Sequence, residues 1–113
     1  MSDLASKKCI PCEGGVEPLK LNQAEEYLKQ INRGWKIVEG KRIEREFKFK
    51  NFKEALEFVN KVGEIAEAEG HHPVVEFSWG WVRLKLWTHA IGGLFDNDFI
   101  LAAKIDRLVE GRQ

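Results

Sequence analysis

Cysteine is scarce in this chain, and the little present excludes several classes. Among 113 residues the only cysteines are Cys9 and Cys12, a lone CxxC. A zinc ribbon needs a second pair, and the histidines lie far downstream. A redox CxxC normally opens a helix after a buried strand, and nothing strand-like precedes this one. The expectation is a reduced pair in an ordered N-terminal arm. Long apolar runs are missing too, and none approaches the ~18–20 residues that span a bilayer. The opening MSDLASKKCIPCEGG lacks the apolar centre of a signal peptide, so a cytoplasmic location is expected. Net charge is absent, with 18 basic and 18 acidic residues. That balance argues against affinity built on phosphate neutralisation, and neither nucleic acid nor membrane is expected as a partner.

What is present describes one folded domain. The chain is 43% hydrophobic and 32% charged, in the globular range, and long enough for one core. Residues 1–18 read as an arm ending in the breaker cluster GGVEPL, and residues 19–113 as a single domain. LNQAEEYLKQINRG reads as a helix capped by Asn22 with Glu25, with Leu21, Ala24, Leu28 and Ile31 in one stripe and Gly34 at the exit. WKIVEGKRIEREFKFK reads as a hairpin turning near Glu39 and Gly40. In its second arm Ile43, Arg45, Phe47 and Phe49 share the inner face, where Arg45 is the exception.

NFKEALEFVNKVGEIAEAEG repeats the capping pattern with Asn51 and Glu54. Its stripe is Ala55, Val59, Val62 and Ala66, widened by Leu56 and Ile65, and Gly70 ends it. VVEFSW and WVRLKLWTH alternate as two strands around Gly80. In the second, Val82, Leu84 and Leu86 face one way, and Trp81, Arg83, Lys85, Trp87 and His89 the other. DNDFILAAKIDRLVEG closes the chain as a helix with Leu101, Ile105 and Leu108 inward. The order α-β-β-α-β-β-α predicts an α+β sandwich: a four-stranded antiparallel sheet with three helices on one face.

All three histidines fall between Glu69 and Ala90. His71 and His72 follow the glycine that ends a helix, and Pro73 biases His72 toward extended geometry. Neighbours in an extended chain point opposite ways, so the two should differ in role. His89 sits at a strand end, off the face of Leu84 and Leu86. Three imidazoles suit a zinc site with an open position, but an adjacent pair does not match ligand spacing on a helix or strand. Near neutral pH they suit proton transfer without a metal. Glu67 precedes His71 by about one helical turn and is a candidate to orient its ring. Asp98, in the first turn of the last helix, is either a structural cap or an acid directed at the histidines.

EAEGHHPVVEFSWGWVRLKLWTH followed by AIGGLFDNDFILAAKID resembles the pterin-4a-carbinolamine dehydratase family. The resemblance is carried by Glu67, His71, His72, Pro73, Trp79, His89 and Asp98, and the CIPCEGG arm resembles bacterial members. It implies the same α+β fold and dehydration of 4a-hydroxytetrahydropterin to quinonoid dihydropterin. It further implies no metal or organic cofactor, a small pterin substrate and a homodimer or homotetramer. His71 and His89 are then expected to move protons and His72 to fix the substrate. Pro73, Thr88, Ala90 and Ile91 are expected to contact the ring, with Glu67 and Asp98 orienting. After Pro73 this chain has Val74 and Val75 where some relatives have an acid and tryptophan, so an aromatic wall would come from Trp79, Trp81 or Trp87. The alternative is a non-catalytic pterin-binding or partner-binding module on the same fold.

Overall fold

A computed structural model describes residues 4–10 and 15–110. Helix α1 spans Leu21–Leu28, β1 Lys36–Val38, β2 Arg42–Lys48 and α2 Phe52–Glu69. Strand β3 spans Val74–Ser78, β4 Trp81–Leu86 and α3 Asp96–Val109, with short 3-10 turns at Leu4–Ser6 and His89–Ile91. The order expected from periodicity is the order found.

The four strands form one antiparallel sheet ordered β1-β2-β4-β3. The connection through α2 therefore carries the chain from β2 past a vacant strand position to the edge. Strand β4 then turns back and fills that position. In the central pair, Ile43 faces Leu86, Arg45 faces Leu84 and Phe47 faces Val82. These side chains meet the helices, and Ile43, Val82, Leu84, Leu86, Phe99 and Ile105 are wholly buried. Each such residue contributes ~1.5–3 kcal/mol through removal of its side chain from water. The opposite face is charged, with Glu44 across from Lys85 and Glu46 bonded to Arg83 at 2.8 Å.

Arg45, the inner-face exception, has a partner that pattern alone did not supply. Its guanidinium lies 2.5 Å from Asp106 of α3, with its carbon 4.3 Å from the Phe47 ring centroid. Asp106 also accepts from the Trp35 indole at 2.7 Å and the Asn32 amide at 2.9 Å. Burial pushes the Asp106 carboxyl up, and these three donors oppose that shift.

Local details depart from the sequence reading in three places. Helix α1 starts at Leu21, after an extended Lys20 whose amide donates to Gln23 Oε1 at 2.9 Å, so Asn22 is not its cap. The Leu19 amide donates to Leu94 O at 2.8 Å, holding the chain extended up to that point. The helix also ends at Leu28, before Gly34, and Leu21 is exposed while Ala24 is buried. In α2 the Asn51 cap holds, accepting from Glu54 N at 2.9 Å, but the buried stripe includes Phe58 and leaves Leu56 exposed. The hairpin turn falls where expected, with Glu39 and Gly40 both at positive φ.

The arm is more integrated than a separate segment would be. Leu4 is buried in the core, and Lys104 of α3 donates to Ala5 O at 2.9 Å. Cys9 is half-buried, its amide bonded to Glu69 Oε1 at 2.8 Å. Burial, followed by the charge of Glu69, pushes the Cys9 thiol up to about 12, which makes it a poor nucleophile. Cys12 lies outside the described residues.

Candidate active site

The site begins with the way α2 stops. Gly70 takes the left-handed conformation, φ 64°, which a residue with Cβ adopts only at a cost. The amides of Gly70 and His71 both donate to Ala66 O, and the chain leaves the helix axis abruptly. His71 is thereby thrown inward, with its side chain 11% exposed, and His72 outward at 60%. The two adjacent rings diverge as extended geometry requires.

His71 Nε2 lies 2.6 Å from Asp98 Oδ1. Asp98 is fully buried, and its Oδ2 accepts from the Thr88 hydroxyl at 3.0 Å and the Phe95 amide at 2.9 Å. The acid thus makes two kinds of contact: one oxygen accepts at the start of α3 and the other bonds the imidazole.

Glu67 does not orient His71. Its carboxylate bonds His72 Nε2 at 2.5 Å, on the surface. The physical reason is the Gly70 reversal, which removes His71 from the helical position one turn beyond Glu67 and directs its ring to α3.

His89 is delivered by the segment after β4. The Thr88 amide donates to Gly93 O at 2.8 Å and the Gly93 amide to Thr88 O at 3.4 Å, closing a loop whose 3-10 turn carries His89, Ala90 and Ile91. His89 is exposed, and its ring lies against Trp87, with centroids 4.3 Å apart. Trp81 opens β4 at its opposite end and Trp79 precedes it, so Trp87 is the tryptophan beside His89.

His71, His72, Thr88, His89 and Ala90 line one cavity of about 410 Å³, together with Ile10, Gly70 and Asn97. Pro73, Ile91, Glu67 and Asp98 are not on its surface; Asp98 lies behind His71, bonded to its ring. The sequence reading missed Ile10, Gly70 and Asn97. Asn97 carried one signal, its place beside Asp98, whereas nothing local marked Ile10. Among the described residues, no group of three or more His, Cys, Asp or Glu side chains is arranged to hold a metal ion. No described helix is long and apolar enough to cross a membrane.

The chain sets a carboxylate-bonded histidine in the wall of a cavity on an α+β sandwich, and known proteins share the fold. The family model described as Pterin 4 alpha carbinolamine dehydratase matches residues 17–108, and the chain belongs to that family. A relative from Alkaliphilus metalliredigens, named "Putative pterin-4-alpha-carbinolamine dehydratase", is 50% identical over 95% of this chain and 96% of its own. A relative of the same name from Rubrobacter xylanophilus is 50% identical over 96% of this chain and 100% of its own. A crystal structure of a transcriptional coactivator/pterin dehydratase from Brucella melitensis superposes with TM-score 0.75 at 31% identity, covering 81% of this chain and 98% of that one. The fold is also that of a pterin dehydratase-like protein identified as a RuBisCO assembly factor, with TM-score 0.57 at 20% identity, over 68% of this chain and 90% of that one.

Proposed function

We propose that the chain dehydrates 4a-hydroxytetrahydropterin to quinonoid dihydropterin and water, by proton transfer through His71 and His89. The observation that carries this reading is the His71–Asp98 pair at the cavity wall, in a chain of the dehydratase family. The substrate carbon bears a hydroxyl and is bonded to N5. The N5 lone pair drives out the hydroxyl as an acid protonates the departing oxygen. Loss of the N5 proton to a base then completes the product, so one water leaves and no oxidant is needed. Two imidazoles on one small cavity supply the acid and the base, each typically worth ~10²–10⁴-fold.

In this reading Asp98 holds the His71 ring in one tautomer and stabilises its protonated form. His89 approaches from the loop, steadied against Trp87. His72, tied to Glu67, hydrogen-bonds the substrate from the rim. The experiment is a stopped-flow dehydration assay with freshly generated 4a-carbinolamine. His71→Ala and His89→Ala are expected to fold normally and lose rate by ~10²-fold or more. Wild-type rates in both folded variants overturn the proton-transfer assignment. Ordinary pterin binding by the wild-type chain without any acceleration replaces the enzyme with a binding module.

A further inference from the structure

Ile10 is a large aliphatic side chain left 58% exposed, yet its main chain is held on both sides. The Ile10 amide donates to Asn97 Oδ1 at 2.9 Å, and Asn97 Nδ2 donates back to Ile10 O at 2.6 Å. Asn97 is 2% exposed, so this carboxamide makes a reciprocal pairing with the arm inside the protein. One residue earlier, the Cys9 amide bonds Glu69 at 2.8 Å, and its sulfur lies 3.5 Å from Asn97 O. Glu69 is the last residue of α2, two before His71, and Asn97 immediately precedes Asp98. Residues 9 and 10 thus fasten together the two helix ends that carry the His71–Asp98 pair.

A fastener of backbone bonds needs no isoleucine, and display of such a side chain to water is unfavourable unless something covers it. The side chain lines the same cavity as the three histidines, whose other lining groups are mostly polar or glycine. We propose that Ile10 is the apolar wall of the pterin pocket, a substrate-binding residue that Asn97 positions by pinning the arm. The proposal rests on the pterin reading of the site and adds the arm to it. A planar bicyclic ring suits such a wall, since its faces are apolar while its edges carry the hydrogen-bonding groups that histidine and backbone can meet.

The test compares Ile10→Ala, Ile10→Met, Asn97→Ala and the Ile10→Ala/Asn97→Ala double variant in the full chain. Stopped-flow KM and kcat are measured alongside equilibrium affinity for 7,8-dihydrobiopterin, with thermal melts as a check on folding. Removal of the contact costs uniform binding, so Ile10→Ala should raise KM and the dihydropterin Kd about fivefold to tenfold while kcat changes less than twofold. Ile10→Met, which conserves volume, should restore both constants to within about twofold. Asn97→Ala should weaken binding similarly, and the double variant should be no weaker than Asn97→Ala alone, because the two residues act through one contact. An unchanged Kd in Ile10→Ala, or additive losses in the double variant, overturns the proposal. Binding is read independently of turnover: a wild-type chain that binds dihydropterin without catalysis refutes the dehydratase reading and leaves the wall to be judged by Kd. A wild-type chain that binds no pterin overturns both.

Discussion

Substitution of Asp98 by asparagine separates the two duties this residue combines. The side chain keeps its shape, and its oxygen still accepts from the Thr88 hydroxyl and the Phe95 amide, now made at 3.0 and 2.9 Å. The cap on α3 is therefore retained. The amide nitrogen must then face His71 Nε2, where Asp98 Oδ1 now lies at 2.6 Å. A donor in that place forces Nε2 to accept, moves the ring proton to Nδ1 and removes the negative charge that stabilises an imidazolium. Loss of a charge-assisted hydrogen bond costs about 1.5–3 kcal/mol, partly offset because a wholly buried carboxylate no longer has to be desolvated. The net fall in stability is expected at about 1–2 kcal/mol, which leaves the protein folded. The kinetic effect is far larger: kcat should drop by ~10²–10⁴-fold, since the wrong tautomer faces the pocket. Dihydropterin affinity should change much less. Stopped-flow dehydration, a urea melt and equilibrium binding on the same preparation make the comparison. A folded Asp98→Asn protein with wild-type kcat refutes the idea that His71 works through this carboxylate and returns Asp98 to a purely structural cap.

Trp87→Leu removes the ring against which His89 rests, and kcat is expected to fall about tenfold with little change in melting temperature, given the modest worth of one aromatic contact; unchanged turnover would exclude a positioning role. Arg45→Ala leaves the buried Asp106 without its ion-pair partner, and urea denaturation should show a loss of about 3–5 kcal/mol. A loss under 1 kcal/mol would mean that the Trp35 and Asn32 donors suffice. For Cys9 the sign follows from the raised pKa: the folded thiol, up from 9.0 to about 12, is almost wholly protonated at pH 8. In a Cys12→Ser background its alkylation by iodoacetamide should be at least ~100-fold slower in the folded than in the urea-unfolded chain, because the thiolate is the nucleophile. Equal rates would show that the arm does not bury it.

Much of the site was legible because the signals are local. Gly70 after a capped apolar stripe announced a helix exit, and adjacency of His71 and His72 in extended chain announced that they would diverge. His89 is off the core as expected, but not by strand alternation: β4 ends at Leu86 and a 3-10 turn carries the residue. Orientation of His71 was not legible, because helical spacing nominated Glu67 and the left-handed turn at Gly70 cancels that spacing. Thr88 was expected to offer the ring a backbone contact, and nothing local showed that its hydroxyl bonds Asp98. Ile10 was invisible for a different reason: its place depends on hydrogen bonds to Asn97 across most of the chain, and a sequence carries no signal for such a pairing.

By itself the sequence determined the elements and their faces, since periodicity of 3.6 or 2 follows from backbone geometry and apolar side chains must leave water. It also determined the inner-face anomaly of Arg45 without showing what answers it. Tertiary structure alone decided the strand order, with β4 inserted between β2 and β3, because any antiparallel arrangement with short turns satisfies the same local pattern. That insertion brings the end of β4 beside the exit of α2 and the start of α3. There Asp98 meets His71 and Ile10 lines one cavity with three histidines, while farther along α3 Asp106 meets Arg45.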